Sequence, residues 1–376
     1  MRPAVMNDFT KSFALDYTGA RGKFVATATA LGCALSQYRH PTKTGPDGEA
    51  LLIDVARLGD PGAPSQLVII SGTHGLEGLS GSAAQIGWMQ SEFARALPRG
   101  VSVLFVHGLN PYGFAWGTRT TENNVDLNRN FIDHDAPYPA NPGYATLYPH
   151  QVPDEWTPAA LVPYTDAVSA YQTAHGADAL FDAQARGQYE FPQGTNYGGT
   201  QREWSNLALE TIVADHLGAA ERVGFIDWHT GIGDWAKSFF LCFNDEGGAL
   251  HGEAVRWWGK DRIVGQRPHN VARPNYQGLV FHGLSKFLAG RPMVGAVIEF
   301  GTRGPHVRHA LRLDQWLKFK AEADSERVRL LRADLHDCFV PVSSHWRGET
   351  TEQAISITQQ AVEGLTTWSL AATTAA

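Results

Sequence analysis

Two short segments of the sequence carry the side-chain types that bind a catalytic metal ion. In SGTHGLEG, residues 71–78, His74 and Glu77 lie three residues apart in a glycine-rich turn that follows an apolar run. In DWHTGIG, residues 227–233, another apolar run ends in Asp227 and His229. Two imidazoles and one carboxylate with an open fourth position form a recognised catalytic zinc set. Taken singly, each segment also fits a structural role, the first as a turn that caps a helix and the second as a hydrogen-bonded histidine at a strand end.

A third segment supplies fixed positive charge. Residues 109–131, LNPYGFAWGTRTTENNVDLNRNF, concentrate asparagine, aspartate and arginine between two strand-like runs. Arg119 and Arg129 can polarise an oxygen or clamp a carboxylate through two parallel hydrogen bonds. A solvated loop would explain the asparagines, but it explains poorly why Asp126, Asn128 and Arg129 crowd against apolar residues.

Glu299 interrupts the apolar run VGAVIEF of residues 294–300. A carboxylate in such a run is costly to bury unless it is paired or lies near a metal. The alternative interpretation is a glutamate on an edge strand that points into solvent.

The elements that must position these residues are short strands separated by helical stretches. Runs rich in β-branched residues predict buried strands at 51–55, 67–71, 101–106, 223–228, 239–243 and 294–300. The alternation with helical spacing predicts an α/β domain whose parallel or mixed sheet is covered on both faces. Because ligand sites of such sheets lie beyond the carboxyl ends of the strands, the polar residues that end these runs are expected to meet. The charged segment 311–338 is predicted to be a solvated outer helix.

We expect residues 1–365 to form one catalytic domain. Residues 133–200 are rich in Pro, Gly, Tyr and Gln and predict a loop insertion with one helical patch at 164–175. Loops this long inside a domain usually serve as a lid or a pocket wall. Residues 366–376 are predicted to be a flexible tail.

Composition excludes several other classes of protein. The chain has 31 Lys and Arg against 38 Asp and Glu, a net charge of −7, which argues against a nucleic-acid partner. Three distant cysteines predict buried thiols rather than a disulfide framework or a cysteine-rich zinc site. No run of about 18 apolar residues occurs, so we expect no membrane partner and a cytoplasmic protein. The sequence leaves the oligomeric state open.

The motifs HGLEG, NPYGF followed by NNVDLNRNF, DWHTG and IEFGT, in this order, resemble the M14 zinc carboxypeptidase superfamily, more specifically its DUF2817-type bacterial branch. They span most of the chain, from residue 67 to residue 302. The resemblance implies a carboxypeptidase-type fold, with a mixed eight-stranded sheet sandwiched between helices, and a single zinc ion. It also implies a hydrolase that cleaves an amide bond of a small peptide or N-acyl amino acid bearing a free carboxylate.

The resemblance also implies a role for each matching residue. The zinc ligands would be His74, Glu77 and His229, with water in the fourth position. Glu299 matches the catalytic glutamate, and Arg119 matches the arginine that stabilises the oxyanion.

The remaining matches concern the substrate and the ligand histidines. Asn128 and Arg129 match the pair that binds the terminal carboxylate of the substrate, and Asp126 matches the carboxylate that orients a ligand histidine. Tyr276 lies near the position of the family's mobile tyrosine, although no motif surrounds it.

Two alternatives to the peptidase hypothesis stay open. DWHTGI also resembles the succinylglutamate desuccinylase and aspartoacylase branch, whose members remove acyl groups from small amino acids, so the chain could be an N-deacylase of a single metabolite. NVDLNRNF is shared by both branches and does not distinguish them. A third hypothesis is a non-enzymatic zinc-binding protein on the same fold.

Overall fold

A computed structural model describes residues 8–263, 272–322 and 325–369 of the chain. Within these residues a single sheet has seven strands, where the resemblance implied eight. The strands are β1 (Ala34–Thr44), β2 (Ala50–Leu58), β3 (Ser65–Ser71), β4 (Val101–His107), β5 (Arg222–Trp235), β6 (Ser238–Cys242) and β7 (Met293–Gly301).

The sheet is mixed, with a parallel centre and antiparallel edges. Its order is β1-β2-β4-β3-β5-β7-β6. The central strands β4, β3, β5 and β7 run parallel to one another, whereas β1, β2 and β6 pair antiparallel with their neighbours. The carboxyl ends of the four parallel strands therefore lie along one edge of the sheet.

Helices cover both faces of the sheet. They are α1 (Tyr17–Ala30), α2 (Gly78–Gln90), α3 (Pro111–Trp116), α4 (Pro142–Leu147), α5 (Pro158–Ala185), α6 (Trp204–His216), α7 (Ala249–Trp258), α8 (Val280–Phe287), α9 (His306–Phe319), α10 (Glu326–Phe339) and α11 (Ser344–Thr367). One apolar core joins the sheet to α1, α2, α7, α9, α10 and α11, and a second joins the other face to α6 and α8. The α/β sandwich predicted from the alternation of elements is confirmed.

The central strands form where apolar residues run without interruption. Every residue of β3, β4 and β7 is buried, as expected for parallel strands with helices on both sides. All six predicted strands are present in the structure. β1 was not predicted, because this edge strand (ALSQYRHPTKT) is mostly exposed, with His40 its one buried residue, and so contains no apolar run.

Two charged or irregular segments contain more helix than predicted. The segment 311–338 forms two helices, α9 and α10, instead of one, and Ser325 caps the second with its side chain. The predicted helical patch at 164–175 is part of α5, which extends from Pro158 to Ala185 with a break at Gly176.

At the carboxyl terminus, helix α11 continues to Thr367 and Trp368 is buried, so ordered structure enters the predicted tail. Residues 370–376 of that tail lie outside the described residues. Within the described ranges, no helix is both long enough and apolar enough to cross a membrane.

Candidate metal centre

The candidate site lies where β3, β5 and β7 end. These strands are parallel neighbours, and His229 on β5 is the direct register partner of Glu299 on β7. His74 and Glu77 follow β3 in a short turn that leads into α2. The parallel pairing of these strands therefore brings together the strand-end residues of three separate motifs, as predicted.

The turn between β3 and α2 is glycine-rich because another turn of chain lies directly against it. A Cβ on Gly75 would be 1.9 Å from the carbonyl carbon of Gly113 in α3, so only glycine fits here. The Gly75 N–H donates to the carbonyl of Arg119 at 3.0 Å. This close approach fixes His74 and Glu77 against the segment that carries Arg119.

Three buried side chains converge on one point. His74 Nδ1 lies 2.9 Å from Glu77 Oε1, and His229 Nδ1 lies 2.9 Å from Glu77 Oε2. The two Nδ1 atoms are 3.1 Å apart. These residues are between 1% and 4% exposed, and in the described part of the chain they form the single group that meets the geometry for a metal ion.

The opposite ring nitrogen of each histidine contacts an aspartate. Asp126 Oδ1 lies 3.0 Å from His74 Nε2, and Asp227 Oδ2 lies 2.9 Å from His229 Nε2. An ionised carboxylate only accepts hydrogen bonds, so each Nε2 carries a proton and donates it. In a neutral imidazole the Nδ1 lone pair is then directed toward Glu77. Asp227 is itself held by the Thr73 hydroxyl, which donates to both of its oxygens at 2.9 and 3.0 Å.

The charges of these groups perturb one another strongly. Burial alone would raise the pKa of Glu77, but the imidazoles of His74 and His229 bring it below its usual range. Burial would lower the pKa of His229, yet the carboxylates of Asp227 and Glu77 raise it well above its usual value. A positive charge, carried by a protonated imidazole or by a bound cation, is therefore stabilised between these carboxylates.

The donor set fits a zinc ion. Zinc holds nitrogen and oxygen donors at about 2.0–2.1 Å in a tetrahedron, which places neighbouring donors about 3.3 Å apart. The separations of 2.9 to 3.1 Å among the three side chains are close to this value. Lone pairs facing one another at such distances repel unless a cation or a proton lies between them.

The net charge of the buried site also fits a dication. The site holds four carboxyl groups and two guanidinium groups, an excess of two negative charges when all four carboxyls are ionised and both imidazoles are neutral. These six groups are Glu77, Asp126, Asp227, Glu299, Arg119 and Arg129.

Glu299 lies beside the three converging side chains without joining them. It is 7% exposed and occupies a strand between β5 and β6, so it is not the solvent-facing edge residue of the alternative interpretation. Its Oε2 accepts a long hydrogen bond of 3.4 Å from the Ile232 N–H. Burial raises the pKa of Glu299 to about 7, and the charge of Glu77 adds to this rise.

Arg119 joins the converging cluster to its surrounding carboxylates. Its guanidinium donates to Glu77 Oε1 at 3.0 Å and to Asp126 Oδ2 at 3.2 Å, and its side chain is 15% exposed. Burial would lower the pKa of Arg119, but Asp126 and Glu77 raise it. The side chain is thus a permanent cation at the candidate metal centre.

Arg129 lies beyond this cluster, held by backbone carbonyls. Its two terminal nitrogens donate to the carbonyls of Asn128 at 2.6 Å and of Ala185 at 2.5 Å, while its Nε is buried without a hydrogen-bond partner. The ring of Tyr276 covers the guanidinium at 5.1 Å, and burial raises the pKa of its phenol. Asn128 turns toward the first cluster, with its Nδ2 3.5 Å from His229 Nε2 and its Oδ1 accepting from the Val280 N–H.

The structure thus brings all nine sequence-predicted residues into one region. The sequence did not reveal three contacts: the Thr73 hydroxyl on Asp227, the Ala185 carbonyl on Arg129 and the Asp314 carboxylate on the backbone of Arg119. The first two have no sequence signal, because a lone threonine and a backbone carbonyl carry no pattern. Asp314 lies in segment 311–338, whose many charges predicted a solvated outer helix, so its contact with Arg119 was not expected.

Comparison with solved structures supports the predicted fold. Bovine thrombin-activatable fibrinolysis inhibitor, in complex with tick carboxypeptidase inhibitor, is 9% identical, with a TM-score of 0.52 over 96% of this chain and 99% of that one. Another structure of thrombin-activatable fibrinolysis inhibitor is 10% identical, with a TM-score of 0.50 over 96% and 77% of the two chains. Carboxypeptidase A from Helicoverpa armigera is 12% identical, with a TM-score of 0.45 over 93% and 75%. The first two similarities confirm the carboxypeptidase-type fold.

Comparison at the level of sequence identifies the family. No curated protein sequence matched the chain. The model of the DUF2817 family, described as a protein of unknown function, matches residues 13–353. The predicted resemblance is confirmed over most of the chain, which therefore belongs to the DUF2817 family.

Proposed function

We propose that this protein is a zinc-dependent hydrolase that cleaves an amide bond in a small peptide or an N-acyl amino acid bearing a free carboxylate. The observation that carries the proposal is the convergence of His74, Glu77 and His229 beside a buried glutamate and two arginines. Such a set would combine a metal site, a general base and anion-binding groups within one buried cluster. The three ligand residues leave a fourth position for water or substrate, as in catalytic zinc sites.

When bound, zinc would lower the pKa of a water molecule and polarise the scissile carbonyl. Glu299 would act as the general base that accepts a proton from the attacking water and delivers it to the leaving nitrogen. Its position opposite His229 in the strand register supports this assignment. Its burial beside the negative charge of Glu77 makes it a stronger base than an exposed glutamate.

The two arginines would take separate roles. Arg119 lies at the metal cluster, where its guanidinium would stabilise the negative oxygen of the tetrahedral intermediate. Arg129 would bind the carboxylate of the substrate, because its Nε and the remaining N–H groups form an incomplete fork suited to an anion. Asn128 and Tyr276 would line the same carboxylate subsite.

Deacylation of a single N-acyl amino acid is a second candidate. It is favoured by the close contact between Arg129 and the insertion, where the Ala185 carbonyl and Gly187 form a wall beside the guanidinium. A wall at this place would restrict the size of the group that carries the carboxylate.

The first test is the metal content of the protein. Protein purified without chelator should contain about one zinc per chain by mass spectrometry, and the double variant His74→Ala, His229→Ala should contain none. The matched control His150→Ala, His345→Ala removes two exposed histidines and should keep the zinc. Absence of metal from both the unmodified protein and the control would overturn the proposal.

A substrate screen then separates the two candidate reactions. Hydrolysis of N-blocked dipeptides without activity on acyl-aspartate or acyl-glutamate would identify a peptidase, and the reverse pattern a deacylase. No turnover of any amide or ester by the zinc-loaded protein would favour the non-enzymatic hypothesis.

A further inference from the structure

A buried carboxylate on α9, that of Asp314, accepts hydrogen bonds from the backbone of Arg119 and from the side chain of the preceding residue, Thr118. Asp314 is 3% exposed. The Thr118 hydroxyl donates to its two oxygens at 2.8 and 2.9 Å, and the Arg119 N–H donates to Oδ2 at 3.1 Å. A buried charge is costly, and here it is compensated by donors that all come from two consecutive residues.

The neighbouring side chains of α9 hold the rest of the same loop. Gln315 accepts from the Asn124 amide at 2.9 Å, and the Lys318 ammonium donates to Asn124 Oδ1 at 2.9 Å and to the Thr120 hydroxyl. Positions 314, 315 and 318 lie on one face of the helix. The loop of residues 118–124 is therefore docked along α9 by polar contacts that are buried or partly buried.

The peptide units on both sides of the Arg119 Cα are fixed. Its N–H is held by Asp314, and its carbonyl accepts from the N–H of Gly75, beside the ligand residue His74. An arginine side chain has many rotamers, so the place of its guanidinium depends on a fixed Cα and on partners at its tip. The tip partners are Glu77 and Asp126, and the Cα is fixed through Asp314 and Gly75.

We propose that Asp314 is a positioning residue that holds Arg119 in the geometry needed to stabilise the transition state. The inference rests on the proposed function, in which Arg119 binds the developing oxyanion. α9 begins five residues after β7 ends, so the element that follows the strand of Glu299 also fixes the loop of Arg119. Among the described residues, the hydrogen bonds of Asp314 come from Thr118 and Arg119 and not from a ligand residue.

The test is the variant Asp314→Asn. An amide is neutral and has one acceptor oxygen, so it cannot offer the Thr118 hydroxyl and the Arg119 N–H the two charged oxygens that now accept from them. We expect kcat to fall about tenfold or more, because misplacing a catalytic group by about 1 Å can cost up to about 100-fold. KM should change less than about threefold and zinc content should stay near one per chain, because neither Arg129 nor a ligand residue is altered.

Asp54→Asn is the matched control. Asp54 is 1% exposed and is bonded to Arg21 and Gln37, away from the candidate metal centre. Its replacement neutralises an equally buried carboxylate and should lower the melting temperature without lowering kcat. A second variant, Thr118→Val, keeps the size of the side chain while removing the hydroxyl donor, and should lower kcat about threefold.

Coupling to Arg119 distinguishes positioning from general stability. In an Arg119→Ala background, Asp314→Asn should cause no further loss of kcat, since the group it positions is gone. Losses that multiply in full would overturn the proposal, as would an equal loss of kcat in Asp54→Asn.

A readout independent of activity is the side-chain Nε–H resonance of Arg119 in ¹⁵N-labelled protein, assigned by its absence in Arg119→Lys. It should shift or broaden in Asp314→Asn and Thr118→Val and stay unchanged in Asp54→Asn. An unchanged resonance in both site variants would overturn the positioning role. If the unmodified protein hydrolyses no substrate, the proposed function fails, while this resonance still decides whether Asp314 fixes Arg119.

Discussion

Glu299 differs from the other buried carboxylates of the site in its hydrogen bonding. Glu77, Asp126 and Asp227 each contact a histidine, whereas the hydrogen bond that the described residues show for Glu299 comes from the Ile232 N–H. A carboxylate held this loosely can accept and release a proton at its oxygens. We therefore expect its role to be in proton transfer rather than in binding the metal.

Glu299→Gln should lower kcat by about 100-fold or more, the usual contribution of a general base. Zinc content should stay near one per chain, because the residue does not belong to the converging ligand group. The measurement is kcat with the best substrate of the screen, beside metal analysis. Glu253→Gln is the control, since Glu253 is also 7% exposed but lies on α7. Unchanged turnover in Glu299→Gln would exclude a base at this position.

Asp227 determines which nitrogen of His229 is free to bind a metal. Its carboxylate accepts a hydrogen bond from the Nε2–H group and leaves Nδ1 facing Glu77. Asp227→Asn should weaken zinc affinity about 10- to 100-fold, the usual cost of losing such a partner. Competition with a chromogenic chelator measures this directly. Thr73→Val, which removes a donor to Asp227, should show a smaller effect. Equal affinity in all three proteins would contradict the orienting role.

Among the elements, the end of α5 shapes the subsite around Arg129. A Cβ on Gly187 would lie 2.5 Å from Arg129 Cδ. Gly187→Ala should therefore displace the guanidinium and raise KM about tenfold for substrates with a free carboxylate. KM for the corresponding C-terminal amides should change little, because they lack the charge that Arg129 binds.

Gly176→Ala, inside α5, provides the control. Both glycines have positive φ, +108° at Gly187 and +86° at Gly176, so alanine is strained at each position. A Cβ on Gly176 would meet no atom within 4 Å. Steady-state kinetics should show a raised KM in Gly187→Ala alone. The same rise in both variants would point to backbone strain instead of contact with Arg129.

The sequence predicts best the strands whose continuous apolar runs also end in site residues. β3, β5 and β7 contain continuous apolar runs, and the polar residues His74, His229 and Glu299 are recognisable from the sequence at or just after the ends of these runs. Long-range contacts were beyond prediction, because nothing local places Ala185 against Arg129 or Asp314 against Thr118. α5 was only partly predicted, since Pro163 and Gly176 interrupt its helical pattern.

The stability of the whole molecule should depend on a buried histidine on the sheet face opposite the candidate metal centre. His107 is fully buried at the end of β4, stacks on Phe24 at 4.4 Å and has its Nε2 2.9 Å from the Ser82 hydroxyl. Burial, with a contribution from the charge of Arg21, lowers the pKa of His107 to about 3. The unfolded chain has a histidine pKa of about 6.5 and therefore binds a proton that the folded state excludes.

Because the unfolded state binds more protons between pH 6.5 and 3, the contribution of His107 to stability is complete above pH 6.5 and is lost as the pH falls. At pH 5 the loss amounts to about 2 kcal/mol, from a gap of about 1.5 pH units. His107→Phe removes the titrating group and keeps a ring against Phe24. Its free energy of unfolding, measured by urea denaturation, should fall about 2 kcal/mol less between pH 7 and pH 5 than that of the unmodified protein.

The comparison isolates His107 because the two proteins share every other titrating group, including those of the metal centre, whose acid sensitivity cancels in the difference. The variant also loses the hydrogen bond to Ser82, but this lowers stability at both pH values and leaves the difference intact. His150→Phe, at an exposed position, should keep the pH dependence of the unmodified protein. If His107→Phe also keeps this pH dependence, another group governs acid unfolding, and the buried histidine is protonated in the folded state without cost.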